Sequence, residues 1–261
     1  MKTVVITGAG TEVGQSIVEK FSKEKWGTES FNVIAAMKDL ANGEQIAKLE
    51  NVKIVELDVT NLGAIEALMH SIDKVDILIN NANYALIGPL ELSTDEQIRA
   101  EFDVNVFGTL NVTRTFLPLI RESNGVIINI SSKGDSPLMS LYNSSRFAIE
   151  GLSASLVHEL TPYNVRVKVV EVGYTATSFG NANFSQGLMI ADNPYSDIME
   201  EFQKAVMSPE FTDSFSSPST VADTIFNAAC DESERVYYAV GDCSTQLMLL
   251  KRNFGSEKTL L

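Results

Sequence analysis

The sequence is poor in cysteine and histidine, and this scarcity excludes several kinds of site. Its 261 residues include only two cysteines, Cys230 and Cys243, which form no CxxC pair. A zinc site or a thiol redox motif is therefore not expected, and two free thiols suit a reducing compartment. The two histidines, His70 and His158, are not spaced as metal ligands usually are. We predict no metal site.

Long apolar runs and an excess of basic residues are also missing. The apolar stretch at the N-terminus is too short for a secretory signal, and no segment approaches the length of a transmembrane helix. Lysine and arginine number 20 against 34 aspartate and glutamate, which gives a net charge of −14. Such a charge repels nucleic-acid phosphates and anionic lipid surfaces. We expect a cytoplasmic protein that binds neither nucleic acid nor membranes.

Short runs rich in valine and isoleucine alternate with segments of helical periodicity. Nearly continuous apolar runs are typical of parallel strands that are covered on both faces. The predicted strands span residues 2–7, 32–37, 52–57, 75–80, 126–131, 165–172 and 235–240. Helices are predicted at residues 12–25, 43–50, 62–71, 94–122, 141–160, 218–229 and 245–252. This alternation predicts one doubly wound α/β domain over residues 1–261, with a parallel sheet of about seven strands and helices on both faces.

Two regions depart from this alternation. Residues 178–216 are rich in Ser, Asn and Phe and are interpreted as a long irregular insertion, which in a compact domain usually forms a lid or a binding loop. Residues 241–261 are interpreted as a C-terminal extension. Four apolar residues of the lid suggest an apolar substrate, unless they only pack the lid itself: Phe179, Phe184, Leu188 and Met189.

The first strand runs into the glycine-containing turn TGAGTEVG, Thr7–Gly14, which opens a helix. Glycines at such a turn let backbone N–H groups and the helix N-terminus come close to a pyrophosphate. A glycine turn alone also occurs for ordinary steric reasons. Its position at the head of a βαβ unit favours a dinucleotide site outside the carboxyl ends of the strands, where the sheet topology reverses.

Six segments, in the correct order over roughly residues 1–180, resemble motifs of the short-chain dehydrogenase/reductase family. This resemblance implies a Rossmann-type fold, a nicotinamide dinucleotide cofactor and a Ser/Tyr active site. The segments are TGAGTEVG, LDVT (Leu57–Thr60), INNAN (Ile79–Asn83), DVNVFG (Asp103–Gly108), YNSSRFAIEGL (Tyr142–Leu152) and EVGYTAT (Glu171–Thr177).

The resemblance also implies which residues contact the cofactor and which cofactor is used. Met37 offers no acceptor where family members that use NAD carry an acidic residue, and Lys38 follows where members that use NADP often carry arginine. A cation there can pair with the 2′-phosphate, so NADP(H) is preferred over NAD(H), although Lys38 could also be an ordinary surface lysine. The implied cofactor-binding residues are Gly8, Gly10, Thr11, Val13, Gly14, Lys38, Asp58, Val59, Asn80, Asn81, Ala82, Tyr142, Arg146, Gly173, Thr175 and Thr177.

A second set of residues suits carbonyl reduction, which requires a proton donor and a group that polarises the carbonyl oxygen. Tyr142 is the predicted proton donor, and Arg146, one helical turn later on the same face, can stabilise its phenolate. Ser131 or Ser132 can hydrogen-bond the substrate oxygen, and Ser132 is preferred as the second serine of the ISS pattern. Asn105 resembles the family residue that kinks its helix and supports a proton relay.

The chain departs from the family pattern at five places. Arg146 stands where the family has its catalytic lysine, which keeps the charge but gives up a proton less easily and places its donors differently. The loop between Ser132 and Tyr142 is about three residues shorter than in relatives, by direct comparison of the motif spacing. The others are Glu12 for the middle glycine of the turn, Asn83 for the glycine of NNAG, a change that Asn tolerates because it accepts left-handed φ, and Val172 for the proline of PG.

These observations predict an oxidoreductase that transfers a hydride between NADP(H) and the carbonyl or hydroxyl group of an apolar small molecule. Arg146, Glu12 and the short loop leave a second hypothesis open, a catalytically impaired dinucleotide-binding protein with a regulatory or interaction role. The Ser/Tyr/Arg set also resembles halohydrin dehalogenases, but the chain retains Gly8 and Gly10 of the cofactor turn.

Two helices carry apolar residues beyond the face that bears the motifs. These are the predicted helices 94–122 and 141–160, with Val106, Leu110, Phe147 and Leu156. A helix that is apolar on more than one face is buried on more than one side. The corresponding helices of the family pair across a two-fold axis, so we predict a homodimer. A tetramer is not expected, because the chain continues beyond Val240 and could cover the sheet edge.

Overall fold

The computed structural model describes residues 1–132, 136–177 and 193–241. Its centre is a seven-stranded sheet in the order β3-β2-β1-β4-β5-β6-β7, and all neighbouring strands pair in parallel. The chain order reverses between β1 and β4, which opens a crevice at the carboxyl ends of the strands. The strands are β1 (Lys2–Ile6), β2 (Phe31–Met37), β3 (Val52–Glu56), β4 (Ile77–Asn80), β5 (Val126–Ser131), β6 (Arg166–Val172) and β7 (Tyr237–Val240).

Helices cover both faces of the sheet, and their apolar sides form two separate cores. One core joins the sheet to α1 and α8, and the other joins it to α2, α4 and the end of α5. The predicted doubly wound α/β fold is confirmed. The helices are α1 (Glu12–Lys23), α2 (Leu62–His70), α3 (Asp95–Phe102), α4 (Thr109–Glu122), α5 (Ser140–Leu160), α6 (Ser196–Val206), α7 (Pro209–Thr212) and α8 (Pro218–Cys230).

The helix predicted at residues 43–50 is wrong. The segment after β2 instead forms two short 3₁₀ turns, Leu40–Gly43 and Ile46–Lys48. Gly43 is buried, and a Cβ atom there would lie 2.7 Å from Met37 Sδ. Gly43 therefore leaves room for the Met37 side chain, and glycine itself disfavours a regular helix.

The helix predicted at residues 94–122 is confirmed, and it contains one irregular turn. Between α3 and α4 the chain forms one turn of π-helix, Asp103–Gly108. A Cβ atom at Gly108 would lie 2.7 Å from Val59 Cγ2, so the helix passes very close to the segment after β3. Such single π-turns within α-helices are frequent at functional sites.

The prediction of an irregular insertion at residues 178–216 is wrong for its second half, which contains α6 and α7. The buried face of α6 consists of Met199, Phe202, Ala205 and Val206, whose spacing is helical. The Ser- and Asn-rich composition around them concealed this period. The predicted lid residues at positions 179–189, Cys243 and the predicted helix 245–252 lie outside the described residues.

Neither a membrane-spanning helix nor a metal-binding cluster occurs in the described ranges. Within them, no helix combines the length and the hydrophobicity needed to cross a membrane. In the same part of the chain, no three His, Cys, Asp or Glu side chains come together as a metal site would require.

Candidate active site

The glycine turn between β1 and α1 lies at the crevice where the sheet order reverses. Gly8 has a φ of +63°, in the left-handed region that favours glycine, and a Cβ atom there would lie 2.7 Å from Ala82 Cα. At Gly14 a Cβ atom would lie 2.3 Å from the Gly8 carbonyl oxygen. Thr11 caps α1, since its hydroxyl accepts a hydrogen bond from the Gly14 N–H at 3.0 Å. Both glycines are therefore required for this turn to form against its neighbours.

The segment after β4 clamps this turn from the other side of the crevice. Asn81 donates from Nδ2 to the carbonyl oxygens of Thr7 and Gly8, each at 3.0 Å. The Thr7 hydroxyl accepts from the N–H groups of Asn81 and Ala82, each at 3.1 Å. The predicted residues Gly8, Asn81 and Ala82 are thus brought together, and Thr7 joins them. This side of the crevice is rigidly held by four hydrogen bonds.

Asn80, predicted to bind cofactor, lies elsewhere. It is buried, and its Nδ2 donates to Thr113 Oγ1 at 2.9 Å and to Asn129 Oδ1 at 2.8 Å. Asn129 in turn donates to Ser153 Oγ at 2.8 Å. Asn80 therefore belongs to a polar chain that links β4 and β5 to α4 and α5, under the floor of the crevice.

Lys38 and Asp58 meet at the ends of β2 and β3. Lys38 Nζ lies 2.7 Å from Asp58 Oδ2, and the lysine side chain is 80% exposed. Burial favours the neutral acid, but hydrogen bonds from Lys38 and Thr60 outweigh it and lower the pKa of Asp58 to about 2. The carboxylate of Asp39 accepts the Ala41 N–H at 2.9 Å and so caps the following 3₁₀ turn.

Other predicted cofactor residues line the same edge of the sheet or support it. Gly10 packs against Met37 and Asn42, where a Cβ atom would meet Asn42 Cβ at 3.0 Å. Val59 is buried beneath Gly108, and Val13 packs partly against the core. Gly173, Thr175 and Thr177 follow β6, and Thr175 forms a bridge to Ser216.

Glu12 and Asn83, two of the departures from the family pattern, differ in their surroundings. Glu12 is exposed in the first turn of α1. Asn83 does not adopt the left-handed φ that asparagine would tolerate. In the described ranges the non-glycine residues with positive φ are Asn124, Leu138 and Asn164. The Oδ1 atom of Asn83 is buried and has no hydrogen-bond partner.

Tyr142 and Arg146 lie on one face of α5, near the carboxyl end of β5. The Arg146 guanidinium carbon is 5.1 Å from the centre of the Tyr142 ring, a cation–π distance. Arg146 is only 3% exposed, and its Nη1 donates to the Ile130 carbonyl oxygen at 3.2 Å. Its Nε atom is buried without a partner. The cation is thus held below the tyrosine ring by β5.

The two serines at the end of β5 have different environments. Ser131 is buried, and its hydroxyl donates to Glu150 Oε1 at 2.9 Å on α5. Ser132, the next residue, is only partly buried. Ser131 therefore serves the packing of β5 on α5, which favours Ser132 as the serine that can reach a substrate.

Asn105 lies within the π-turn and is completely buried. Its Oδ1 accepts the Tyr84 N–H at 2.9 Å, and its Nδ2 donates to the Tyr84 carbonyl oxygen, to Glu101 Oε1 and to Ser145 Oγ at 2.7, 2.8 and 3.0 Å. The side chain therefore joins the segment after β4 to α5, one residue before Arg146. The side-chain amide of Asn105 is thus fully engaged with protein groups, and Thr109 Oγ1 donates to the backbone carbonyl oxygen of Asn105 at 2.9 Å.

An apolar cluster adjoins Tyr142 on the side of α6 and α7. Its buried members are Ile87, Met139, Phe202, Ala205, Val206 and Phe211, and Tyr142 and Tyr174 pack against them. Tyr174 stacks on Phe215 with ring centres 5.8 Å apart, and its hydroxyl donates to Ser136 Oγ at 3.2 Å. Burial raises the pKa of Tyr174 to about 12, so this phenol stays protonated near neutral pH.

Sequence reasoning did not identify Thr7 or Glu101 as parts of the site. Thr7 was noted only as the start of the glycine turn, although its hydroxyl joins β1 to the segment after β4. Glu101 is fully buried and has the same helical spacing to Asn105 that Tyr142 has to Arg146. The signal in the sequence was that Glu101, a charged residue, lies on the inner face of a predicted helix, where glutamate is rare unless it is paired.

Comparison with known proteins finds oxidoreductases that match most of the chain. Residues 2–187 match the family model for short chain dehydrogenases. An uncharacterized oxidoreductase of Schizosaccharomyces pombe is 34% identical and covers 82% of this chain and 92% of its own. For the uncharacterized oxidoreductase YusZ of Bacillus subtilis these values are 31%, 97% and 93%. For the 3-ketodihydrosphingosine reductase of Bacteroides thetaiotaomicron they are 33%, 70% and 68%.

Solved structures agree with the fold. A short-chain dehydrogenase from Streptomyces avermitilis has a TM-score of 0.77 at 25% identity, covering 97% of this chain and 92% of that one. A short-chain dehydrogenase/reductase from Burkholderia phymatum in complex with NAD has a TM-score of 0.77 at 24% identity, covering 100% and 97%. One from Burkholderia cenocepacia in complex with NADP has a TM-score of 0.73 at 22% identity, covering 99% and 96%.

Proposed function

Because the chain belongs to the short-chain dehydrogenase family, we propose that it transfers a hydride between NADP(H) and the carbonyl or hydroxyl group of an apolar small molecule. The observation that supports this best is the Tyr142–Arg146 pair, with a ring-to-guanidinium distance of 5.1 Å, at the carboxyl ends of the strands. A phenol in this place can give a proton to a substrate oxygen and take one back from it.

The proposed roles of the side chains follow from their positions. A bound nicotinamide supplies or accepts the hydride. In reduction Tyr142 gives its hydroxyl proton to the substrate oxygen, and in oxidation it takes the proton back. Ser132 holds that oxygen by a hydrogen bond. Arg146 stabilises the phenolate form of Tyr142, and Asn105 holds the segment after β4 against α5.

The crevice between β1 and β4 fits a dinucleotide. Gly8 lets the turn pass directly against Ala82, and the N-terminus of α1, which follows the turn, favours a pyrophosphate. Lys38 supports the preference for NADP(H), because its exposed ammonium group can exchange Asp58 for a 2′-phosphate. Met37 is buried, and the Asp39 carboxylate already caps a turn, so neither offers a free acceptor to an unphosphorylated ribose.

An apolar substrate is supported by the cluster next to Tyr142, which includes Ile87, Met139, Phe202 and Phe211. Burying an apolar substrate surface against such side chains contributes roughly 25 cal/mol per Å². The Bacteroides relative is named a 3-ketodihydrosphingosine reductase, and a keto substrate is compatible with this proposal.

The test is a binding titration followed by a turnover assay. NADPH should raise the melting temperature more than NADH at equal concentration, because a ligand that binds the native state stabilises it by mass action. NADPH oxidation is then followed with a panel of apolar ketones and aldehydes. Protein that binds NADPH and turns over none of them would support the non-catalytic alternative. Halide release from a vicinal haloalcohol without nicotinamide would support the dehalogenase alternative.

We also propose that the chain forms a homodimer through α4, its preceding π-turn and α5. Two phenylalanines on these elements are about half exposed. Phe147, which the sequence predicts for the interface, is 54% exposed, and Phe107, which it does not single out, is 53% exposed. Val106, Leu110 and Leu156 are only partly exposed. Sedimentation equilibrium at micromolar concentration tests this proposal, with Phe107→Glu as the disrupting variant and Tyr163→Glu, on an exposed turn after α5, as the control. A wild type that sediments at 28.5 kDa contradicts it. Cytoplasmic location stays a prediction.

A further inference from the structure

Glu101 is a completely buried carboxylic acid among the proposed catalytic residues. It lies near the end of α3, one helical turn before Asn105. One oxygen accepts the Leu86 N–H at 2.8 Å, and the other accepts Asn105 Nδ2 at 2.8 Å. Burial removes the water that would solvate a carboxylate, so its charge must be compensated by neighbouring donors or cations.

Two ionisable neighbours face this carboxyl group among the described residues. Arg146 approaches from α5 and supplies a positive charge, and Tyr84 belongs to the segment after β4. Burial raises the pKa of Glu101 to about 7, while the Leu86 N–H and the charge of Arg146 oppose the increase. Burial and the charge of Glu101 in turn raise the pKa of Tyr84.

Glu101 reaches Tyr142 by two short routes. The first route runs through Asn105, whose Nδ2 donates to the Ser145 hydroxyl at 3.0 Å. That hydroxyl donates in turn to the backbone carbonyl oxygen of Tyr142 at 2.8 Å. Through its charge Glu101 acts on Arg146, whose guanidinium carbon lies 5.1 Å from the Tyr142 ring. A change of charge at Glu101 therefore acts on the cation that lies against the Tyr142 ring.

We propose that Glu101 is a positioning residue that holds Asn105 and balances the charge of Arg146, and so sets the pH range in which Tyr142 transfers a proton. The inference rests on the proposed function. When Glu101 is neutral, the charge of Arg146 is uncompensated and favours the Tyr142 phenolate. When Glu101 ionises, the two charges cancel and the phenolate is less favoured.

The first test needs no turnover. The Leu86 amide proton donates to Glu101, so its NMR chemical shift reports the ionisation of this carboxyl group directly. In leucine-labelled protein it should move with a midpoint near pH 7, and Arg146→Met should raise that midpoint by about one unit or more. The titration should disappear in Glu101→Gln and persist in Glu96→Gln, which removes an exposed carboxylate from the same helix. A Leu86 amide that does not titrate, or a midpoint unaffected by Arg146→Met, overturns the proposal.

The second test uses the pH profile of kcat/KM for alcohol oxidation. Because Glu101→Gln keeps the position neutral, it should move the acid limb to lower pH than in the wild type, and Glu96→Gln should leave the limb unchanged. A limb that stays in place while overall activity falls would show a purely structural role and refute the proposal. If the wild type has no turnover at all, the proposed function fails, while the Leu86 titration still decides whether Glu101 and Arg146 are coupled. If Glu101→Gln does not fold, the wild-type and Arg146→Met titrations decide alone.

Discussion

Replacing Gly8 by alanine should damage both the stability of the fold and the binding of the dinucleotide. Gly8 has a φ of +63°, and an added Cβ atom would lie 2.7 Å from Ala82 Cα and 2.9 Å from Ala82 N. Both contacts are with backbone, which cannot move aside as the end of a flexible side chain could. The segment after β4 is moreover fixed to the turn by hydrogen bonds from Asn81 and Ala82 to Thr7.

The expected loss of stability has two parts, and a second glycine of the chain, Gly27, allows them to be measured separately. A left-handed conformation costs an ordinary L-residue about 1–2 kcal/mol. Forcing an extra carbon into a packed site adds about 1–3 kcal/mol. Gly27 has the same φ of +63°, but nothing lies within 4 Å of its added Cβ. Gly27→Ala should therefore show only the first part, and Gly8→Ala should show both.

Urea denaturation and thermal melting of the two variants measure the difference. Gly8→Ala should be less stable than Gly27→Ala by about 1–3 kcal/mol, which corresponds to a melting temperature lower by about 2–12 °C for a domain of this size. Gly8→Ala should also weaken NADPH binding at least about tenfold, or about 1.4 kcal/mol, while Gly27→Ala leaves it unchanged. Equal stabilities would show that the turn relaxes freely. Unchanged NADPH affinity in Gly8→Ala would refute its role as the cofactor turn.

Three further outcomes are expected. Tyr142→Phe should lower turnover about 10²–10⁴-fold, while NADPH binding weakens by no more than the loss of one hydrogen bond, about 1 kcal/mol; retained turnover would exclude Tyr142 as the proton donor. Lys38→Ala should raise the Kd of NADPH about 10–100-fold, the loss of one charge-assisted contact, and leave that of NADH unchanged; an equal effect on both would remove Lys38 as the discriminator. The pKa of Asp58 is lowered to about 2, so its contribution to stability is present above its unfolded pKa of about 4 and is lost as the pH falls through the folded value. Asp58→Asn should therefore flatten the dependence of the unfolding free energy on pH between these two values. An unchanged pH dependence in this range would contradict the pairing with Lys38.

The sheet and its order of motifs were predictable because the signals are local. Seven apolar runs predicted seven strands, and the structure begins or ends them within a few residues of the expected places. Two departures from regular helix occur where the chain packs closely on a side chain from elsewhere. Gly43 lies against Met37, where two 3₁₀ turns replace the predicted helix, and Gly108 lies against Val59, at the π-turn of an otherwise continuous helix. Apolar periodicity does not contain such contacts.

The individual roles in the site were less predictable than its location. Asn80 and Asn81 are neighbours in one motif, yet Asn81 clamps the glycine turn and Asn80 joins a buried polar chain. Successive residues at the end of a strand point in opposite directions, so a motif match alone does not distinguish them. Ser131 and Ser132 are separated by the same alternation.

Arg146 shows how a departure from a family pattern depends on a residue elsewhere in the chain. The sequence identified the arginine, and α5 periodicity placed it beneath Tyr142, but the carboxyl group that we propose as its counter-charge is on α3. A cation that is 3% exposed is costly unless nearby groups offset its desolvation. The Ile130 carbonyl oxygen accepts a hydrogen bond from Arg146, and the proposal assigns the remaining compensation to Glu101. A lysine at position 146 would keep the positive charge, but its point-like ammonium group lacks the planar fork with which arginine can reach Ile130 while covering the tyrosine ring. On our proposal the arginine at position 146 and the glutamate at position 101 act as one unit, so the effect of either substitution has to be measured in the presence and in the absence of the other.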